Sequence, residues 1–450
     1  MVPKCPEIAL SRHDEYGDFD IPYVHIRTYI FKKLNRYKNR IFPLICVENP
    51  VCFLVCYVCK NNPKIIVFII YKFCLFILLQ KINSVDKMNQ KEMDMRTAVV
   101  DLFCGVGGLT CGLRKAGLKV VAGLDNDETC QYAYEKNNHA KFIHADVAKY
   151  ASADINSLYK NSDIKILVGC APCQTFSTQA NKYRKNINKE TDVRWNLLKA
   201  FANHIKAISP DIVSMENVPT LQNYDIFNEF KSTLEALGYH VSHQIVNCAK
   251  YGLPQRRRRL VLLASKFGDI KLLPPTSEYF KEKRTVRSTI GKLPKLKHGQ
   301  TNKKDPLHRC AGLSDINLKR IQQSKPGGTW HDWDPVLLPN CYRKASGQSF
   351  TGVYGRMLWD EPSPTITTQF FSFGTGRYGH PTQDRALSLR EGALLQTFPE
   401  NYTFFQNEEN MSIATISRHI GNAVPVDLGW IIGVSIKEHL DTVKKGKKAA

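Results

Sequence analysis

Short apolar runs, separated by stretches of mixed polarity, begin at Thr97 and recur as far as Ser265. Residues 97–103 (T-A-V-V-D-L-F) read as a buried strand. C-G-V-G-G (104–108) is a glycine turn into a helix over Leu109–Ala116, with Gly117 past its end. The next strand, K-V-V-A-G-L-D, ends at Asp125, and a helix over Glu128–Asn137 follows. K-F-I-H-A-D carries a third strand to Asp146, and I-K-I-L-V-G-C (164–170) is a fourth. A helix over Trp195–Ile208, a strand D-I-V-S-M-E (211–216), a helix over Ile226–Leu237 and a strand R-L-V-L-L-A (259–264) complete the series. Strands alternating with helices of this length predict an α/β domain built on a doubly wound, mostly parallel sheet.

Outside that stretch the pattern changes. From about Ser265 to Ser388 Lys, Arg, Pro and Gly are frequent and no strand–helix repeat is visible, which predicts a smaller, basic, loop-rich region. Helices are expected again over Ser388–Gln396 and Val426–His439, and Lys444–Lys448 reads as a solvated basic tail. Residues 1–95 hold no period of either kind. Their apolar run Ile65–Leu79, interrupted by Lys72, is shorter than the ~20 residues that span a bilayer. Cys52, Cys56 and Cys59 lack a matching His/Cys pair for a metal site. The Ile, Phe, Lys, Asn and Tyr that dominate this segment are encoded by A/T-rich codons, so it reads as an atypical extension ahead of a start at Met88, Met93 or Met95. The expected divisions are therefore 1–95, a catalytic region 96–272, the irregular region 273–384, a return 385–440 and the tail 441–450.

Charge adds a partner to this picture. The 450 residues carry a formal net charge of +22, which favours a polyanion, nucleic acid first and an anionic membrane surface second. Without a visible secretory signal, the eight cysteines from Cys104 to Cys341 read as reduced thiols of an intracellular protein. No metal site is expected.

Three groups of residues carry candidate chemistry. Gly105, Gly107 and Gly108 follow a strand and open a helix, where glycines permit a tight turn and close approach of a ligand. Alone, such a loop is an ordinary turn. Asp125, twenty residues past Gly105 at the next strand tip, is placed to take ribose hydroxyls, and Asp146, at the third tip, to accept from an adenine amino group. A dinucleotide fingerprint would need glycine where Thr110 stands, so a nucleoside cofactor without a pyrophosphate fits better, S-adenosyl-L-methionine above all. Second, the fourth strand leads into C-A-P-C (170–173). A redox pair and a structural cysteine both compete here. Cys170 reads as buried, whereas Cys173 lies beyond Pro172, where the chain leaves the sheet and a thiolate can act as a nucleophile. Glu216, at a further strand tip between Met215 and Asn217, is a candidate acid, with a salt bridge as its plain alternative. Third, Gln255–Arg259 precedes an apolar strand. Extended backbone points Gln255, Arg257 and Arg259 one way and Arg256 and Arg258 the other, so one set can face an active site and the other phosphate.

Taken in order, the motifs D-L-F-C-G-V-G-G, the acid at Asp125, A-D-V around Asp146, G-C-A-P-C-Q-T-F-S, D-V-R-W-N-L-L, M-E-N-V, Q-R-R-R-R-L, R-A-L-S-L-R-E-G-A-L-L-Q-T-F-P and R-H-I-G-N-A-V-P-V resemble the C5-cytosine DNA methyltransferases over about Thr97–His439. G-G-T-W (327–330) and W-D-E-P-S-P-T-I-T-T (359–368) also resemble segments of the bacterial, restriction–modification enzymes. Ala171 stands where the family often has Pro or Phe, and residues 1–95 have no counterpart.

The resemblance implies a class I, Rossmann-like methyltransferase fold and attack of Cys173 on C6 of a cytosine flipped from double-stranded DNA. It implies that Glu216 holds N3 and N4, that Arg257 and Arg259 hold the ring O2 and a phosphate, and that Gln174 supports the loop. It places Phe103, Asp125, Asn126, Asp146, Val147, Pro172, Asn422 and Ala423 with the glycines around S-adenosyl-L-methionine, so the end of the chain must fold back beside the first strand. DNA contacts are implied for Ser177, Gln255, Arg256 and Arg258. Residues 273–384 become a target-recognition domain, and Gln179–Asp192 a lid over the DNA. A monomer in the bacterial cytoplasm, not at a membrane, with a restriction endonuclease acting separately, is the expected setting. A tRNA cytosine-C5 methyltransferase of the same fold is the alternative, disfavoured by the large irregular region. A catalytically silent DNA-binding module is a third, disfavoured by the intact Cys173, Glu216 and Arg257.

Overall fold

The computed structural model describes residues 96–172, 193–280, 282–344, 347–348, 351–410 and 412–449. The apolar run Ile65–Leu79, Cys52, Cys56 and Cys59, Cys173, Gln174, Ser177 and the expected lid lie outside the described residues.

Seven strands form one sheet: β1 (Thr97–Leu102), β2 (Val120–Asp125), β3 (Lys141–His144), β4 (Ile164–Gly169), β5 (Ile212–Asn217), β6 (His240–Asn247) and β7 (Arg258–Ser265). Their spatial order is β3-β2-β1-β4-β5-β7-β6. Neighbours pair in parallel from β3 across to β5, whereas β7 runs antiparallel to both β5 and β6. Every strand tip expected to carry chemistry lies on this sheet, and the mostly parallel, doubly wound α/β reading holds. β6 is an addition. Its sequence mixes His, Ser and Gln with Val and Ile, and Val246 alone of its eight residues is buried, as suits an edge strand.

The two sheet faces bury separate sets of side chains. Val99, Ile164, Ile166, Val168, Ile212, Val261 and Leu263 face one side, while Ala98, Val100, Leu102, Leu167, Val213, Met215, Leu260 and Leu262 face the other. Helices α1 (Gly108–Lys115), α2 (Gln131–Asn138), α3 (Ser152–Ser157), α4 (Val193–Ile208) and α5 (Asp225–Ala236) connect the strands. A 3-10 turn over Glu128–Cys130 precedes α2, with Asp127 as its N-cap.

Past β7 come α6 (Val286–Ile290), a small hairpin of β8 (Thr301–Asn302) and β9 (Asp305–Arg309), α7 (Asp315–Gln323), a run of 3-10 turns, α8 (Leu389–Leu395), α9 (Ile413–Asn422) and α10 (Val426–Ala449). Ile321, Trp330, Trp333, Leu337, Tyr342, Phe373 and Ala386 make a core of their own, with the Trp330 and Tyr342 rings stacked at 4.6 Å. By contrast Val286, Ile290, Leu307, Met357, Ile366 and Phe370 join the core of the main sheet. The irregular region is thus rooted in the catalytic core at both ends. The last helix runs past its expected end at His439, since α10 continues to Ala449.

The chain end does return to the first helix. A Cβ on Gly112 would fall 2.2 Å from Val426 O and 2.4 Å from Trp430 N, and one on Gly429 2.8 Å from Leu109 O. Only glycine lets α1 and α10 approach this closely. No described helix is long and apolar enough to cross a membrane.

Candidate active site

In an open α/β sheet, ligands bind beyond the carboxyl ends of the strands, where the strand order reverses. Here the reversal lies between β1 and β4. Phe103 leaves β1 with φ +59°, and Gly105 and Gly107 follow at +50° and +84°. This left-handed path turns the 103–108 loop over the sheet edge. The loop is tied from two sides. Gly105 N donates to Asp125 Oδ2 at 2.8 Å, and Asp127 N to Oδ1 of the same carboxylate at 2.9 Å. Behind it, Tyr402 OH donates to Val106 O, and Asn138 Nδ2 donates to Tyr402 OH at 3.1 Å. A Cβ on Gly107 would strike Asn138 Nδ2 at 2.3 Å, and one on Gly108 would strike Val424 O at 2.3 Å.

The remaining residues expected at the cofactor lie at or just past the ends of β2, β3 and α9. Asp125 is half-buried, and burial raises its pKa. Asp146 is half-buried and accepts from Ala148 N at 2.9 Å. Val147 is buried, its carbonyl 2.7 Å from His204 Nε2. Asn126 carries an exposed side chain while its carbonyl meets His144 Nε2 at 3.2 Å. Asn422 ends α9 exposed, beside half-buried Ala423. Beneath the loop lies Asp101, which the sequence reading passed over. It is 1% exposed, takes the Thr110 hydroxyl on Oδ2 at 2.7 Å and leaves Oδ1 without a partner. Burial raises its pKa to about 7.

Beside this cradle, β4 delivers Cys170-Ala171-Pro172 to the same edge. Asn217 Nδ2, at the tip of neighbouring β5, donates to Ala171 O at 3.2 Å. Pro172 is exposed, and Cys173 follows it. The Cys170 thiol is held protonated by burial and by the Glu216 and Asp101 carboxylates. Glu216 is only 7% exposed, and its Oε1 lies 2.8 Å from Arg259 Nε. The two are an ion pair by distance, yet no donor is aligned on Oε1 as a hydrogen bond. A buried carboxylate oxygen with a cation beside it and an open lone pair is equipped to receive a polar ligand.

The arginine run separates as the strand period predicts. Gln255 and Arg257 are buried and Arg259 nearly so, while Arg256 and Arg258 are exposed. Two of the inward residues are occupied internally. Gln255 is 0% exposed, donating to Leu395 O at 3.1 Å and Gln396 Oε1 at 2.8 Å and accepting from Ile366 N at 2.8 Å. The DNA contact expected of Gln255 is corrected accordingly: with both ends of its amide spent in the core, it has nothing to offer a duplex. Arg257, 3% exposed, donates to Ile366 O at 3.0 Å, Ala423 O at 3.3 Å and Gly421 O at 3.4 Å. Burial and the nearby Arg259 lower its pKa to about 9, so the cation persists at neutral pH. Gln396 completes the tie, its Nε2 donating to Ile420 O at 2.7 Å and Ala423 O at 3.2 Å. It lies in the quoted L-L-Q-T-F-P motif, but nothing in that string says the glutamine bridges three segments. Arg256 forms a surface pair with Glu361.

Comparison with known proteins agrees with this geometry. Residues 97–438 match the family model for C-5 cytosine-specific DNA methylases. The type II methylase M.HgiDII of Herpetosiphon aurantiacus is 52% identical over 347 residues, 76% of this chain and 96% of the relative. The type II methyltransferase M.Eco47II of Escherichia coli is 31% identical over 358 residues, 77% of this chain and 80% of the relative. Among solved structures, a DNA modification methyltransferase encoded in an Escherichia coli prophage superposes with a TM-score of 0.58 at 21% identity, covering 77% of this chain and 99% of its own. That likeness extends the methyltransferase fold to a sheet whose strand tips carry a glycine cradle, an acid and an arginine. The chain belongs to the C-5 cytosine-specific DNA methylase family and is a DNA (cytosine-5-)-methyltransferase.

Proposed function

We propose that the chain methylates C5 of a cytosine flipped out of double-stranded DNA, with Cys173 as the nucleophile. The observation that carries this reading is the placement of Glu216, its Oε1 open and Arg259 at 2.8 Å, next to the Ala171–Pro172 turn that Asn217 holds. Cys173 is one residue beyond that turn.

Attack of the Cys173 thiolate on C6 forms a C–S bond and moves the C5–C6 π electrons to C5. Glu216 holds N3 and the N4 amino group, so the charge that develops on the ring is met by a fixed partner. Arg259, paired with Glu216, and Arg257, whose Nε has no partner among the described residues, would hold the ring O2 and the flanking phosphate, and Arg257 also ties the pocket wall at Ile366, Gly421 and Ala423. Gln174 supports the nucleophile loop. Once C5 has used that electron pair to bond the methyl group that the cofactor would supply, loss of the C5 proton to a base and departure of the thiolate from C6 would restore the C5–C6 double bond and free Cys173.

The cradle suits S-adenosyl-L-methionine. Asp125 is placed for ribose hydroxyls, Asp146 and Val147 for the adenine edge and Phe103 for its face. Gly105, Gly107, Gly108, Asn126, Pro172, Asn422 and Ala423 close around the remainder. When bound, that cofactor supplies an electrophilic methyl group. Ser177 and the exposed Arg256 and Arg258 would meet DNA phosphates, residues 273–384 would recognise the target, and 179–192 would close over it. The type II designation of the relatives supports a modification enzyme, monomeric and cytoplasmic in a bacterium, with an endonuclease acting separately.

Trapping tests the chemistry. On duplexes bearing 5-fluorocytosine at the target, the wild type should form a covalent adduct and Cys173→Ser none. Absence of a wild-type adduct refutes the nucleophile. Label from the methyl donor entering RNA and not DNA would replace the substrate.

A further inference from the structure

A groove of about 770 Å³ opens between the 351–358, 361–367 and 375–378 segments. It shares a wall with the catalytic pocket, because Thr365 and Thr367 line it and the intervening Ile366 gives its carbonyl to Arg257. Tyr378 braces that wall, its hydroxyl donating to Thr365 O at 2.8 Å and meeting Thr367 Oγ1 at 3.0 Å. Two arginines face the groove. Arg256 is paired with Glu361 at one rim. Arg377 has no carboxylate partner among the described residues, and burial alone acts on it, lowering its pKa.

Arg377 is nonetheless held firmly. Its Nη1 donates to Gly328 O at 2.6 Å and to Arg356 O at 3.3 Å. Its guanidinium lies against Gly355, where a Cβ would come within 2.7 Å of Nη1 and 2.9 Å of Cζ. Anchoring through Nη1 leaves the opposite edge, Nε and Nη2, without a partner among the described residues. That edge is the planar two-donor fork of an arginine. The free edge is fixed in orientation and opens on the groove, where a ligand with two matched acceptors can meet it.

We propose that Arg377 is a specificity-determining residue that reads the O6 and N7 acceptors of a guanine near the flipped cytosine, resting on the DNA methyltransferase reading above. The fork matches the two acceptors that guanine presents in the major groove. The fork also matches a phosphate; a base is favoured because Arg377 sits half-buried in a groove that shares its Thr365–Thr367 wall with the catalytic pocket, not on an open basic surface. Leu358 and Val353 line the same groove and offer apolar contact to a neighbouring base.

The test uses the full chain. Bisulfite sequencing of host DNA first defines the methylated site. kcat/KM is then measured on duplexes in which each guanine of that site is replaced singly by 7-deazaguanine, for wild type, Arg377→Ala and Arg377→Lys. For the wild type, one guanine should prove sensitive, with a loss on the order of 5- to 150-fold. Arg377→Ala should show a similar loss on the unmodified duplex and no further loss at that guanine, with the other positions discriminated as before. Arg377→Lys keeps the charge but not the fork and should also lose discrimination at that position. A wild type insensitive to every 7-deazaguanine overturns the inference whether or not either variant folds. So does a loss independent of position with a shallower salt dependence, which marks a phosphate clamp. A wild type that methylates no DNA refutes the methyltransferase reading itself, whereas an active wild type with unaltered variants refutes only the assignment of Arg377.

Discussion

Asp101 makes a quantitative prediction about stability against pH. Its carboxyl is 1% exposed beneath the cofactor loop, and burial, reinforced by the Asp125 charge, raises its pKa from 3.8 to about 7 against the opposing Thr110 hydrogen bond. Between those two values the folded protein holds a proton that the unfolded chain has released. Stability therefore falls as pH rises through that window, and the penalty is complete above about pH 7. From pH 5 to pH 8.5 roughly two pKa units of the window are crossed, worth about 3 kcal/mol. Asp101→Asn removes the titration. The amide can still accept from Thr110, but it buries an unpartnered NH₂ group, at a cost of about 1–3 kcal/mol that does not vary with pH. The variant should be the less stable protein at pH 5 and at least equal to the wild type at pH 8.5. Urea or thermal melts of both proteins across that range measure the difference, which in melting temperature is on the order of 5 °C between the two ends. Parallel profiles, with a constant offset at all pH values, would refute the idea that Asp101 titrates in this window.

Two further substitutions probe the two halves of the site. Glu216→Gln keeps the shape but changes the group proposed to meet the cytosine ring, so single-turnover methylation should slow by ~10²–10⁴-fold while DNA affinity stays near wild type; an unchanged rate removes Glu216 from the chemistry. Gly107→Ala meets both φ +84° and a contact at 2.3 Å with Asn138, whereas Gly105→Ala meets φ +50° and open space, so calorimetric titration with the cofactor and thermal melts should show a markedly larger loss for Gly107→Ala; equal losses would mean that the cradle is not set by that packing.

Much of the site could be read from residue order because the sheet imposes it. β1, β2, β4 and β5 are largely buried on both faces, so apolar residues dominate them; β2 is apolar up to Asp125, and β5 is broken only by Ser214 before Glu216. β6 escaped because an edge strand with one open face carries no such run. The arginine run shows a different limit. Its parity was legible, since alternation fixes which residues share a side. What the inward side meets was not. Gln255 and Arg257 look inward onto main-chain carbonyls of segments more than a hundred residues away, and only the folded chain brings those acceptors together. Asp101 was read as one polar residue in a strand, because its missing partner is a property of the packing around it.

The edge strand that the pattern hid is also what completes the catalytic edge. β7 covers eight residues, about 25 Å of extended chain. Had it joined β5 in parallel like its predecessors, Arg258 would start at the far end of the sheet and Arg259 could not approach Glu216. β6 instead carries the chain up to the catalytic edge, and the turn through Cys248–Tyr251 reverses it there. β7 then inserts antiparallel between β5 and β6, with Asn217 opposite Leu260. The arginines enter the sheet beside the tip of β5, and Glu216 and Arg259 meet at 2.8 Å. The one reversal in an otherwise parallel sheet is thus the step that converts a carboxylate at a strand tip into a paired, buried acid next to the turn that leads to Cys173.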